Sequence, residues 1–323
     1  MSAGFNHRVD GARLIAALAA LAQIGATPDG GCRRLALTDE DKAGRDWLAA
    51  RMRGLGLTVR IDAVGNMVGL LKGVEDGPAV VLGSHIDTVG SGGRYDGALG
   101  VLAGLEVVAT LKERGAPLKR DLAVIAFSNE EGARFQPDMM GSCVWAGAES
   151  VAAMAAARDA NGASFGDELR RIGYDGPEAP GFLKAHRYFE LHIEQGPVLE
   201  REGVEIGAVT GVQGITWLEL DIAGEPRHGG TTPMDYRRDA GLLAARINVF
   251  AREATLRRPG LLANMGAIRV EPGEVNVVPA RVVCTLDLRH PDGAALDAGE
   301  REIRAFAERA AAEAGLGLAI RDL

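Results

Sequence analysis

The run Ala79-Val80-Val81-Leu82-Gly83-Ser84 is apolar and β-prone, and it passes without a break into His85-Ile86-Asp87. A short apolar run that ends in ligand-type side chains reads as a parallel strand of an open α/β sheet, whose carboxyl end is where such sheets place their sites. In His-x-Asp the imidazole is able to bind a metal while Asp87 takes the other ring N–H or orients a bridging ligand. A hydrogen-bonded surface histidine accounts for the tripeptide alone equally well.

Working outward, the amino side alternates helical patterns near Asp10–Ile24 and Asp39–Leu55 with strand-like runs at Leu57–Asp62 and Met67–Leu71. On the carboxyl side a Gly-rich loop leads to a helical stripe over Leu99–Arg114, closed by Gly115. Asp121–Phe127 then forms a continuous apolar run of the kind buried on both faces of a sheet. A helical, Ala-rich region follows Ala148, a Gly/Pro-rich loop spans Gly173–Gly181, and Arg187–Ile193 reads as another strand. These elements make an α/β sheet with helices on both sides.

From about Thr210 the order changes to strand Gly214–Ile222, helix Asp239–Thr255, strands Ala263–Val270 and Arg281–Arg289, helix Ala294–Ala314 and a strand start at Gly317–Arg321. That β-α-β-β-α-β order is the ferredoxin-like, split βαβ sandwich, which leaves an edge strand free as a dimer seam. Two domains are therefore expected, residues 1–209 and 210–323. A chain of 323 residues with 47% hydrophobic side chains is long enough to bury two cores.

Three further clusters of ligand-type residues stand near element ends. Asp96 lies in Gly92-Gly93-Arg94-Tyr95-Asp96-Gly97-Ala98-Leu99-Gly100, just before a helix, where an N-cap is the plain alternative. Glu130 and Glu131 follow the buried strand in Ser128-Asn129-Glu130-Glu131-Gly132. Adjacent carboxylates repel unless a cation lies beside them, and they can divide labour between metal ligation and general base catalysis, although a solvated acidic loop is the simpler reading of the pair alone. His192, in Leu191-His192-Ile193-Glu194-Gln195-Gly196, again ends a strand. Four such clusters on one sheet point together to a metal site.

Composition narrows the alternatives. The formal net charge of −8 comes without blocks of like charge, which makes nucleic acid and anionic membranes poor partners. No apolar stretch reaches the roughly 18 residues that span a bilayer, and Leu14–Ile24 lacks the flanks of a signal peptide. Cys32, Cys143 and Cys284 are far apart and odd in number, which fits a reducing cytoplasm. Neither dinucleotide nor phosphate-loop glycine spacing occurs.

Taken together, these motifs resemble the zinc-dependent hydantoinase/carbamoylase amidohydrolases, a branch of the di-metal exopeptidase group. The resemblance runs over the whole chain, through Gly83–Val89, Gly93–Gly100, Asn129–Phe135 and Leu191–Gly196, and then through His228-Gly229-Gly230-Thr231-Thr232-Pro233-Met234, Asn276-Val277-Val278-Pro279 and Asp287-Leu288-Arg289. It implies an α/β/α catalytic domain with a lid that closes over substrate and forms a homodimer. It implies two divalent metal ions, zinc first, with manganese, cobalt or nickel also suited to the ligands. His85, Asp96 and His192 would hold one, and Asp96 would bridge to a second held partly by Glu131. Glu130 would be the general base toward a metal-activated water. Gln195, His228, Asn276 and Arg289 would grip a carboxylate-bearing small molecule, with Arg289 as a fork on its carboxylate and His228, acting across the dimer, on the carbonyl oxygen. Read without the resemblance, Asn276 caps a turn, Arg289 pairs with Asp287 and His228 bonds to backbone. The implied substrates are N-carbamoyl-L-amino acids, with allantoate and β-ureidopropionate as rivals. A non-catalytic dimerising protein is the alternative of another class.

Two departures from the family pattern stand out. Gly229 replaces a usual alanine, which is expected to loosen the loop that carries His228. Members of the family also continue past the lid, return to the large domain and supply a further histidine to the second metal, whereas this sequence stops at Leu323 and has no histidine after His290. The expectation is a fragment with an uncovered sheet edge, an incomplete second metal site and little hydrolase activity.

Overall fold

The computed structural model describes residues 7–323. The chain divides into two compact units between Arg201 and Glu202, ahead of the boundary expected at 209/210. In the first unit, helices α1 (Gly11–Ala22) and α2 (Asp39–Gly54) lead into strands β1 (Thr58–Ile61), β2 (Met67–Leu71) and β3 (Ala79–His85). Helix α3 (Ala98–Glu113), strand β4 (Leu122–Phe127), the short helices α4 (Met140–Ala146), α5 (Val151–Ala156) and α6 (Phe165–Ile172), strand β5 (Ala185–Phe189) and helix α7 (Val198–Glu202) complete it. Local chemistry sets the helix starts: Asp10 accepts the Arg13 N–H and Thr38 the Asp41 N–H, each satisfying a first-turn donor. Acidic residues fill the first turn of α2 and Arg51 and Arg53 its last, both favourable to the helix dipole.

The sheet order is β1-β2-β4-β3-β5, with β3 parallel to both β4 and β5 and the other pairs antiparallel. Residues 122–126 of β4 are all buried, which explains their unbroken apolar run. Leu122, Val124 and Ala126 join Leu18, Leu48, Met52, Leu102 and Phe165 in one core, while Ala123 and Ile125 face Val68, Val81, Trp145 and Phe182 on the other side. The sheet thus carries apolar packing on both faces, and β3 and β4 deliver their carboxyl ends side by side. The strand expected at Arg187–Ile193 instead runs over Ala185–Phe189, so His192 follows its strand rather than ending it. Its parallel register with β3 stops at Leu82↔Phe189, and the next residue, Glu190, accepts the Ser84 hydroxyl from the end of β3. Tyr188 and Phe189 on this edge strand are exposed.

In the second unit, strands β6 (Gly214–Ala223) and β7 (Arg227–His228) precede helix α8 (Ala240–Arg257). Strands β8 (Leu262–Asn264), β9 (Ile268–Glu271), β10 (Val277–Val278) and β11 (Arg281–His290), helix α9 (Gly293–Glu313) and strand β12 (Gly317–Asp322) follow. The main sheet runs β12-β6-β11-β8, with β9 also on β11, which is the ferredoxin-like arrangement. Leu218, Leu220, Ile222, Val282, Leu286 and Leu288 pack from the sheet against Leu243, Ile247, Ile303 and Ala307 of the two helices, and the Phe250 and Phe306 rings stack at 3.9 Å between centroids. The single strand expected at Ala263–Val270 is split in two. Around Gly266 the chain bulges away from β11, and Thr285 Oγ1 accepts the Ala267 N–H there.

A buried ion pair lies beneath the end of β4. Arg45 donates to Asp41 at 2.8 Å, to the Gly65 carbonyl at 2.7 Å and to Ser128 Oγ at 3.1 Å, and Asn66 Oδ1 accepts the Ser128 N–H at 3.0 Å. Both ionic side chains are almost fully buried. Arg45→Met should therefore lower unfolding free energy by about 3–5 kcal/mol, because it strands Asp41 without a cation. Urea denaturation checks this, and a loss below about 1 kcal/mol would refute the assignment.

Candidate metal centre

His85 ends β3 with its side chain buried. Its Nδ1 lies 3.0 Å from the Asp87 backbone carbonyl, and a carbonyl only accepts, so Nδ1 carries the proton and Nε2 keeps its lone pair. His192 repeats the device, with Nδ1 at 2.9 Å from the Ile193 carbonyl. The two rings stand 6.1 Å apart, and both Nε2 atoms face Asp96, at 3.9 and 3.3 Å from its Oδ1. Donor atoms of His85, Asp96 and His192 all lie within 4.8 Å of one another.

Asp96 does not cap α3. The N-cap is Gly97, which makes no side-chain cap bond and has φ +59°, a conformation that favours glycine. A Cβ at Gly97 would fall 2.3 Å from His85 Nε2, so only glycine lets the helix start beside the imidazole. The freed Asp96 carboxylate accepts the Gln195 amide at 2.6 Å, from a residue that is itself left-handed at φ +55°. Gln195, a candidate for gripping substrate, thus holds the Asp96 carboxylate in this structure.

The two glutamates follow β4 as expected. Glu130 Oε2 lies 3.4 Å from His85 Nε2. Asp87 does not give its carboxylate to the imidazole, which is 3.8 Å away; its two oxygens accept the backbone N–H groups of Glu130 and Glu131, each at 3.2 Å. The difference arises because Asp87 is buried beneath the Glu130 loop, where two backbone donors need an acceptor.

The crowding of carboxylates shows in their acidities. Burial pushes Glu131 up to about 7, with the Asp96 charge adding to it, and burial likewise raises Glu130, helped by Asp87 and Glu190. Burial also raises Asp87. The ion pair with His192 holds Asp96 below the usual carboxylate range and lifts His192 to about 9. Glu131 Oε1 is buried with no hydrogen-bond partner. Two imidazole nitrogens, a converging carboxylate and an orphaned carboxylate oxygen form a donor set that fits a divalent cation.

In the second unit, β7 and β10 pair His228 with Val277, and Asn276 gives its backbone carbonyl to the Gly229 N–H at 2.7 Å. A Cβ at Gly229 would meet that carbonyl oxygen at 3.1 Å, so the glycine tightens this contact rather than loosening the loop. Arg237 holds the loop from both sides, through the Gly229 and Thr232 carbonyls at 2.6 and 3.0 Å. His228 Nδ1 accepts the Gly230 N–H at 3.1 Å, which leaves the Nε2–H of the neutral ring as a donor. Arg289 forks onto Asp287 at 2.8–3.0 Å, the pairing its place two residues along β11 allows. Sequence reasoning passed over Arg237, Arg45 and Glu190. Only the Asp41–Arg45 spacing of four on one helix offered a signal.

Fold and centre together define a metal-dependent hydrolase with a separate ferredoxin-like unit. Residues 81–322 match the model of peptidase family M20/M25/M40. The N-carbamoyl-L-amino-acid amidohydrolase of Rhizobium meliloti is 43% identical over 98% of this chain and 77% of its own length. The allantoate amidohydrolase of Escherichia coli (strain K12) is 40% identical over 85% and 68%. The crystal structure of an amidase of the hydantoinase/carbamoylase family from Burkholderia multivorans superposes with a TM-score of 0.90 at 43% identity, covering 98% of this chain and 77% of that one. The chain belongs to peptidase family M20/M25/M40, in its hydantoinase/carbamoylase branch.

Gly97→Ala should weaken divalent cation binding about 10–100-fold, the range typical of disturbing a ligand's support. Calorimetric titration checks this, and wild-type affinity in a folded variant would show that the close approach to His85 does not matter.

Proposed function

We propose that the chain hydrolyses the linear C–N bond of N-carbamoyl-L-amino acids or related ureido acids. The observation that carries this is the convergence of the two Nε2 atoms on Asp96 with Glu130 at 3.4 Å from His85. His85, Asp96 and His192 would hold one divalent cation, and Asp96 and Glu131 would contribute to a second, zinc being best suited and manganese, cobalt or nickel also compatible. Such cations supply Lewis acidity, making a water nucleophilic at neutral pH and polarising the scissile carbonyl.

The residues of the chain then have distinct tasks. Glu130, its carboxylate acidity lowered by burial, takes the proton of the attacking water and returns it to the leaving nitrogen as the C–N bond breaks. Asp87 keeps Glu130 and Glu131 in place through their backbone N–H groups. His228 offers its Nε2–H to the carbonyl oxygen as negative charge develops there. Arg289 exchanges Asp287 for the substrate carboxylate, a bidentate partner of the same shape, and Asn276 adds a polar contact to the substrate. The carbamoyl product breaks down to ammonia and carbon dioxide. Allantoate is the second substrate to test, since a relative bearing that name is 40% identical.

Homodimerisation through the second unit is supported by α8, where Leu242, Val249 and Leu256, one heptad apart, are all exposed beside β8. Ile268 and Val270 of the edge strand β9 are exposed as well. Three free cysteines support a cytoplasmic setting, and no described helix is long and apolar enough to cross a membrane.

Glu130→Gln should reduce ammonia release from N-carbamoyl-L-amino acids by about 10²–10⁴-fold while cation binding persists. Retention of full turnover would remove Glu130 as the base, and no release from any ureido acid by the metal-loaded wild type would sink the proposal. Val249→Glu should convert a dimer to a monomer in light scattering; an unchanged mass would exclude α8 from the interface.

A further inference from the structure

The two imidazoles of the centre sit on chain segments whose pairing stops short of them. The β3–β5 ladder ends at Leu82↔Phe189, three residues before His85 and three before His192. Beyond that point a side chain bridges the strands. Ser84, next to His85, donates its hydroxyl to Glu190 Oε1, and Tyr188 donates its phenol to Glu190 Oε2 at 2.7 Å. Ser84 is buried, and Glu190 lies two residues before His192. An unrestrained glutamate samples many rotamers. Here both oxygens are engaged from two directions, one on each strand, so the carboxylate acts as a rung where the backbone ladder has ended.

We propose that Glu190 is a positioning residue whose carboxylate, gripped by Ser84 and Tyr188, sets the separation of the His85 and His192 imidazoles and so the geometry of the cation site. The inference rests on the metal-centre reading above. Outer hydrogen bonds of this kind orient ligands, and their loss typically weakens metal affinity about 10–100-fold.

The test is titration of Co²⁺ into the metal-free full chain, followed by the visible absorption bands that report coordination geometry. Wild type comes first: no Co²⁺ uptake at all would overturn the metal-centre reading and this inference with it. With uptake established, Glu190→Ala is expected to weaken binding about tenfold or more and to change band intensity, with Glu190→Gln, which keeps one acceptor, in between. The double variant Ser84→Ala/Tyr188→Phe retains the Glu190 charge and removes both donors, and it should reproduce most of the Glu190→Ala effect. Circular dichroism and urea midpoints establish that each variant is folded, and Glu190 is solvent-exposed, so its replacement leaves no buried cavity. Unchanged affinity and bands in Glu190→Ala would refute the role. A loss in Glu190→Ala with none in the double variant would show that charge acts and the clamp does not.

Discussion

Four carboxylates, at Asp87, Asp96, Glu130 and Glu131, gather around two imidazoles, and their mutual repulsion in a half-buried setting is what the surrounding architecture has to withstand. The cost is visible in Glu131, pushed to about 7, and in its Oε1 atom, buried without a partner. Such an arrangement persists only if each group is held from behind. Asp87 is tied to two backbone N–H groups, Asp96 to Gln195, and the imidazoles to backbone carbonyls. A divalent cation placed among these groups would relieve the repulsion, and the same contacts would then support it.

That demand reaches further into the first unit. Asn129, which introduces the glutamate pair, is left-handed at φ +49° and donates its amide to the Phe135 and Pro137 carbonyls, so the strained turn is fixed by its own side chain. Below it, the buried Arg45 brings a positive charge to Ser128 and Asp41 and ties the end of β4 to α2. Gly97 removes the one atom that would block His85. Burial, backbone conformation and charge placement here serve one geometry.

The second unit has a different character. Its core is a plain two-layer packing, and its polar side chains of interest stand on the β7–β10 ribbon and on β11. Arg237 and the Asn276 carbonyl order the His228 loop, whose imidazole is thereby given a defined tautomer. Arg289 is held by Asp287 in a half-buried pair two residues apart on β11.

Local pattern alone determined the main helices and strands of both units, though not the short helices α4, α6 and α7, the β7–β10 ribbon or the break between β8 and β9. It placed His85, Glu130 and Glu131, because these residues are contiguous with strands whose apolar runs are easily read. It also singled out Asp96 and His192 as ligand types. What it left open was every choice that depends on partners distant in the chain. That His192 lies past the end of β5, that Asp87 serves the Glu130 loop 43 residues on, that Asp96 faces the imidazoles instead of capping α3, and that Ser84 meets Glu190 across 106 residues were decided by the tertiary structure. The physical reason is that periodicity records which face of an element is buried, whereas a hydrogen-bond partner is set by register and rotamer, and these exist only once the sheet has assembled.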